Sequence, residues 1–408
     1  MLLAVPRILM LRYFHPVILT VMVSALGSLG GCVDKPALSP IPRELVDAAQ
    51  VPDFGTIRQW GDAPGLIGQT AWPAGARAAS PPTGDPGDSL NVLAISGGAA
   101  NGSFAVGLLT GWTEAGTRPQ FHVVSGVSVG ALEAPFAFLG PAYDTVLRDL
   151  FTRLSSADLF TQKPSLAAYF SDSLASPQPL ASLISEFVDE PLVRAIAAEH
   201  RKGRRLFVGT THVYAGRQMI WDIGAIAASG RAEALDLIRR VLLASAAVPV
   251  LLPPVYFDVI ADSRRYQEMH VDGGITREAF IGPPDLDWDA AAQALGTGHH
   301  VQFYVIRNGR ARGEYMIMEP RTVPLGQHAM LQLTQSLGVG DLYRIYLRAQ
   351  REHAGYQAAW IGSDFEAPWE DWGDLRYMQT LFDYGYAQAV NGQAWHSEPP
   401  GVSPGAHR

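Results

Sequence analysis

An α/β fold is what this sequence predicts, and three features carry the prediction. From about residue 88 onward, short apolar runs alternate with helical stretches, as strands and helices do when they take turns along a chain. Hydrophobic residues make up 48% of the 408 positions, so a large core is available, and charged residues are only 17%, below the roughly 25% of ordinary soluble domains. Finally, two glycine-rich turns each join an apolar strand to a helix, which is where α/β proteins place their chemistry.

The elements follow in order. Strands are predicted at 91–95, 121–125, 205–213, 217–222, 268–271 and 300–306. Helices are predicted at 102–115, 129–139, 144–154, 190–201, 233–245, 326–354 and 374–390. In the last of these, Met378, Leu381, Phe382, Gly385 and Ala389 recur at the spacing of one buried helical face. Pro135 falls inside the second helix, beyond its first turn, where it should kink or strain it. No internal repeat is present.

The chain begins with Arg7 and Arg12 and no acid, and then an uncharged stretch over 17–31, the pattern of an export signal. The stretch is shorter than the roughly 20 apolar residues of a spanning helix. Cys32, the single cysteine, follows Leu29-Gly30-Gly31 in a way that resembles a bacterial lipoprotein signal. That resemblance implies lipidation of Cys32 and an exported protein anchored in the cell envelope, on the periplasmic side or at the outer membrane. A plain signal followed by an incidental or buried cysteine is the other reading, and Met10 is an alternative start. The expected organisation is a signal over 1–31, a tether and irregular segment over 32–87, a catalytic domain over 88–310, a C-terminal helical extension over 311–396 and a disordered tail over 397–408.

A net charge of −8 argues against a nucleic-acid partner, which calls for a basic face. One cysteine excludes an internal disulfide framework and a cysteine-based zinc cluster. There is no H-E-x-x-H motif and no carboxylate pair at ligand spacing, so no metal and no cofactor are expected.

Three motifs remain. Gly126-Val127-Ser128-Val129-Gly130 lies between a β-branched strand and an Ala-rich helix, the setting of a nucleophile elbow. The flanking glycines allow a tight turn, and Ser128 is presented at its tip, beside the positive end of a helix dipole. Ser96-Gly97-Gly98-Ala99-Ala100-Asn101-Gly102 also joins a strand to a helix and can offer unpaired N–H groups to an anion. The anion is either a phosphate or the oxyanion of acyl transfer, and a simple tight turn is the plainer alternative; the serine elbow downstream favours the oxyanion. Asp272-Gly273-Gly274 closes a short strand, and there Asp272 either caps a turn or faces the ligand edge of the sheet.

Together, in this order, the three stretches resemble the patatin-like phospholipase family, whose pattern is a glycine-rich loop, then G-x-S-x-G, then D-G-G or D-G-A. The segment 244–255 (ASAAVPVLLPPV) is similar to the Pro-rich stretch that precedes D-G-G in that family. The likeness spans about 90–275. It implies a three-layer α/β/α sandwich with a mainly parallel sheet, and a lipid or other fatty acyl ester as substrate. It also implies a Ser128–Asp272 dyad without histidine, an oxyanion hole from Gly97, Gly98 and Ala99 with Val129, and an acyl-enzyme. Ser96, Ala99 and Asn101 depart from the family's acid, third glycine and basic residue.

Two rival readings stay in view. An ordinary Ser-His-Asp esterase would draw its base from His299, His300, His328 or His353, all of which follow Asp272. A membrane-anchored binding protein that has lost catalysis would explain the altered loop. His270, two residues before Asp272, either packs or tunes it. Arg201-Lys202-Gly203-Arg204-Arg205 is either a solvated turn or a lipid-headgroup patch, and the aromatic residues from Trp360 to Tyr386 are either core or an acyl-pocket lid.

Overall fold

The computed structural model describes residues 39–72, 89–153, 161–162, 173–313, 320–367 and 374–402. The expected signal over 1–31, Cys32, the linker 73–87, Trp369 and Trp372 lie outside the described residues.

The described strands are β1 (Arg58–Trp60), β2 (Leu90–Ile95), β3 (Val123–Val127), β4 (Thr161–Gln162), β5 (Ala175–Ser176), β6 (Arg205–His212), β7 (Arg217–Asp222), β8 (Val255–Ala261), β9 (Arg264–Asp272), β10 (Val301–Arg310) and β11 (Gly355–Ile361). The helices are α1 (Leu66–Thr70), α2 (Gly102–Glu114), α3 (Val129–Leu139), α4 (Asp144–Arg153), α5 (Gln178–Phe187), α6 (Glu190–Arg201), α7 (Ile223–Ala228), α8 (Ala234–Ser245), α9 (Trp288–Leu295), α10 (Thr322–Arg351) and α11 (Leu375–Val390). None of the described helices is long and apolar enough to cross a membrane.

The main sheet runs β1-β7-β6-β3-β2-β10-β11, with β9 on β6 and β8 on β9. Its centre, β6 through β11, is parallel throughout, while β7, β1 and the β8–β9 hairpin are antiparallel to their neighbours. β2 is buried at every position, as a strand covered on both faces must be. Leu93 and Ile95 face a core shared with α2, α3, α8 and α11, and Val92 and Ala94 face a second core shared with α9 and α10. The result is the three-layer α/β/α sandwich.

The C-terminal region is not purely helical. Residues 355–361, placed by sequence within a helical extension, form β11, which pairs in parallel with β10 as the edge of the sheet. The run is too short and too irregular in polarity to show period two. α11 packs along α2 through small residues: a Cβ at Gly107, Gly111 or Gly385 would run into the facing main chain. Tyr377, Met378, Leu381 and Phe382 are buried there, so these aromatics serve the core. Past residue 396 the chain is still held, the Tyr343 hydroxyl donating to the Pro400 carbonyl. His396 and Ala358 exchange two main-chain hydrogen bonds of 2.8 Å, and its ring stacks on Trp360.

The basic run at 201–205 divides. Lys202 is exposed and pairs with Glu199, but Arg204 and Arg205 are buried. Arg204 caps the carbonyls of Phe121 and Phe138, and Arg205 reaches the Ala71 carbonyl and lies over Trp72. These two guanidiniums satisfy main-chain acceptors rather than facing solvent or headgroups.

Candidate active site

Val127 is opposite Gly209 on β6, and on the same edge of β6 the next residue, Thr210, is opposite Asp272. β3 and β9 therefore meet end to end along one edge of β6, and their termini bring Ser128 and Asp272 together. β7 occupies the other edge of β6.

The elbow is strained as such turns are. Ser128 has φ 54°, in the left-handed region that a side chain normally avoids. Gly126 and Gly130 cross so closely that a Cβ on Gly126 would meet the Gly130 carbonyl, and one on Gly130 would meet the Ile95 and Ser96 carbonyls. The Ser128 N–H donates to Ser245 Oγ at 3.0 Å, and Ser245 Oγ donates to the Gly209 carbonyl at 2.7 Å. Ser245, at the end of α8, lies in the segment that sequence had linked to D-G-G, but its hold on the elbow was not foreseen. The same segment supplies the Ala247 carbonyl that accepts the Asp272 N–H at 2.9 Å.

Asp272 is 5% exposed and Ser128 8%. Asp272 Oδ1 accepts the Gly274 N–H at 2.7 Å, and Oδ2 is buried without a regular hydrogen bond. Removal from water pushes the carboxyl up to about 7, while the Ser128 hydroxyl and the Gly274 N–H pull it part of the way back.

The 96–102 loop is pinned from β10. Asn308 donates its N–H to Ser96 Oγ at 2.9 Å and its Nδ2–H to the Ser96 carbonyl at 3.1 Å and to Glu133 at 3.2 Å. Its Oδ1 accepts the Ala105 N–H at 3.1 Å. Gly98, at φ 155°, lies so close to the Asn308 carbonyl that no Cβ fits. Ala99 takes φ 52°, the conformation a third glycine would adopt without strain. Gly97 departs from the expected role: its N–H donates to the Glu278 carbonyl at 3.2 Å. Among the described residues, Gly98, Ala99 and Val129 keep N–H groups that no protein acceptor takes. Asn101 is tied to α11, its Oδ1 accepting the Tyr377 hydroxyl at 2.7 Å.

Two further carboxyls were not foreseen. Glu133 on α3 is fully buried, and burial raises its pKa well above the usual carboxylate range against the pull of the Asn308 amide. Glu278 stands at the mouth of the site. A point where Gly97 would carry a Cβ lies 2.6 Å from Glu278 Oε2 and 3.1 Å from Ser128 Cβ. Burial, and then the neighbouring Asp272 charge, push Glu278 up to about 8. The only signal in sequence was its position four residues after Gly274.

Two histidines near β6 and β9, His270 and His212, are occupied by other partners, while His299, His300 and His353 are exposed. His270 is buried against Trp221 and Phe257, and burial lowers it to about 4, so it is neutral. Trp221 Nε1 donates to Thr210 Oγ1, whose own proton is thus directed to His270 Nδ1 at 2.9 Å. His270 Nε2–H then points to Glu268 at 3.3 Å. His212, Glu268 and His270 cluster closely enough to suggest a metal site. However, His212 Nδ1 accepts the Ala215 N–H at 3.1 Å, so its Nε2 also carries a proton. Glu268 is paired with Arg58. The His270 N–H and the Arg58 guanidinium converge on the Glu268 carboxylate, with His212 Nε2 3.8 Å away, an acceptor-centred cluster rather than a ligand set.

Beside β9, an apolar groove of about 490 Å3 is lined by Val213, Val250, Leu252, Met269, Val271 and Ile275 among others. A more polar cavity of about 570 Å3 lies along α9 and includes none of the site residues.

Comparison with known proteins agrees with the site. Residues 93–283 match the profile of the family described as patatin-like phospholipase. No curated protein matches the chain. Among solved structures, VipD from Legionella pneumophila aligns at 14% identity over 75% of this chain and 67% of its own, with a TM-score of 0.37. The type III effector ExoU aligns at 15% identity over 76% of this chain and 55% of its own, with a TM-score of 0.22. The matched stretch, residues 93–283, holds the serine elbow, the glycine-rich loop and Asp272, so the site lies within the part of the chain that is similar to patatin-like phospholipases.

Proposed function

We propose that this protein hydrolyses fatty acyl esters of lipids through Ser128 and Asp272, without a histidine. The observation that carries the reading is the desolvated Asp272 carboxyl, raised to about 7, beside the strained Ser128. A hydroxyl needs an adjacent base to act as a nucleophile, and an ordinary aspartate is too weak a base near neutral pH. Held near 7, this one is matched to its task.

In the proposed cycle Ser128 Oγ attacks the ester carbonyl and its proton passes to Asp272. Gly98, Ala99 and Val129 N–H groups receive the oxyanion. The bond to the alcohol breaks, and Asp272 returns the proton to the departing oxygen. Water then attacks the acyl-enzyme, giving a proton to Asp272 that is handed back to Ser128 as the fatty acid leaves.

The test is labelling by a fluorophosphonate probe. Ser128→Ala should abolish it, Asp272→Asn should slow it by about a thousandfold, and His270→Ala should still label. Loss of labelling in a histidine variant that remains folded would favour the Ser-His-Asp alternative. A folded wild type that never labels would favour a binding protein.

Export and anchoring through Cys32, at the periplasmic side or the outer membrane, are part of the same proposal. They rest on the lipoprotein-like signal. Incorporation of labelled palmitate that vanishes in Cys32→Ala supports the anchor, and equal incorporation in both overturns it.

A further inference from the structure

Glu278 has no place in the scheme above, yet its carboxyl fills the notch between the two glycine turns that frame Ser128. Gly97 on one side and Gly274 on the other both lack the Cβ that would collide with it. Among the described residues the carboxyl makes no hydrogen bond and no ion pair, while its main chain is firmly held: Asp341 Oδ2 accepts the Glu278 N–H at 2.7 Å. An unpartnered acid, fixed through its backbone and lying beside Gly97 and Gly274 next to the turn that carries Ser128, is placed to meet the substrate.

We propose that Glu278 is a third functional group of this site, working in its protonated form. Its O–H donates a hydrogen bond to the substrate oxygen on the Gly97 side of Ser128, and its ionised form opposes the negative charge that develops there. This inference rests on the acyl-hydrolase reading and extends it. It also gives the loop a donor where Asn101 supplies no cation.

The charged groups facing Glu278 come from three directions. Asp272, at the end of β9, raises its pKa; so does Asp341 on α10, which is itself paired with Arg277 and Arg344. Arg307 on β10 opposes the rise, but that side chain is spent on the carbonyls of Arg310 and Gln335. Burial and the two acids outweigh one arginine, and the carboxyl is held near 8. Asp272 ionises first, near 7. The active form therefore has Asp272 ionised and Glu278 protonated, and it is most populated between those two values.

The experiment is the pH profile of kcat/KM for a neutral nitrophenyl acyl ester, for wild type, Glu278→Gln and Glu278→Ala, with Ser128→Ala as reference. The wild type should give a bell, rising near pH 7 and falling near pH 8. Glu278→Gln, whose amide still donates, should lose less than tenfold at the optimum and lose the alkaline fall while keeping the acid limb. Glu278→Ala, with no donor, should lose about a hundredfold at the optimum. An alkaline fall that persists in Glu278→Gln, or a Glu278→Ala variant as active as wild type, overturns the proposal. If the variants do not fold, the rate of fluorophosphonate labelling of the wild type decides. A fall above pH 8 supports it, and a monotonic rise overturns it. Ester hydrolysis that survives in Ser128→Ala overturns the parent reading instead.

Discussion

Ser245 and Ser128 stand 117 positions apart in sequence and are joined by a 3.0 Å hydrogen bond from the Ser128 main chain to the Ser245 hydroxyl. The same hydroxyl donates to Gly209, so one side chain fastens the elbow to β6. Ser245→Ala leaves a buried N–H and a buried carbonyl unmet. We expect a stability loss of about 2 kcal/mol and a fall in kcat of about tenfold, with KM nearly unchanged. Denaturant melts and ester kinetics check both.

Asn308 is the corresponding fastener of the glycine loop. It satisfies Ser96, Ala105 and Glu133 at once from a site 2% exposed. Asn308→Ala should cost about 3 kcal/mol or more. Because the Gly98 and Ala99 donors lose their support, fluorophosphonate labelling should slow even at temperatures where the variant stays folded. Asn308→Asp should recover little, since the Nδ2 donor is lost.

Stability should depend on pH through Asp272. Its folded pKa of about 7 lies above the ordinary 3.8, so between those values the native protein holds a proton that the unfolded chain has released. Stability therefore falls as pH rises through this window. Asp272→Asn removes the effect. The variant should match wild type at pH 4 and exceed it at pH 8 by roughly 2–4 kcal/mol, while losing activity. Thermal melts from pH 4 to 8 measure the widening gap; a constant gap would contradict it.

Gly98 and Ala99 make a contrasting pair. Gly98→Ala places a Cβ against the Asn308 carbonyl at φ 155°, and should cost about 3 kcal/mol and abolish labelling. Ala99→Gly relieves a left-handed alanine at φ 52°. That gain of about 1 kcal/mol is offset by a similar loss through the freer unfolded chain. Its melting temperature should stay within a few degrees of wild type, with labelling at least as fast.

The central strands and the principal helices were legible because their apolar periods are strong. β2 and β3 are short, largely apolar runs, and α11 shows its face at Met378, Leu381 and Phe382. β8 was missed although it alternates, because the turn into β9 is Asp262-Ser263, with φ 47° and 59°, rather than the glycine pair that usually announces such a hairpin. β11 was missed because an edge strand of seven residues carries little pattern. Ser128, Asp272 and the glycine loop could be found because motifs are local. Ser245, Asn308 and Glu278 could not, because their roles exist only where α8, β10 and the turn after Asp272 converge.

A strand that serves two others in succession also acts as a ruler. Since β3 ends opposite Gly209 and β9 ends opposite Thr210, the interval between nucleophile and carboxyl is set by a single step along β6. Of the 143 intervening positions, those of β6 set that interval, Ser245 and Ala247 fasten its two ends, and most of the others return the chain to the same edge. Deleting one residue of β6 would carry Asp272 to the other face of the sheet, since side chains alternate. Loops that do not touch the site can lengthen or change, whereas β6 cannot lose or gain a residue at 209–210. The working distance of the site is thus written in a strand that supplies neither of its two principal groups.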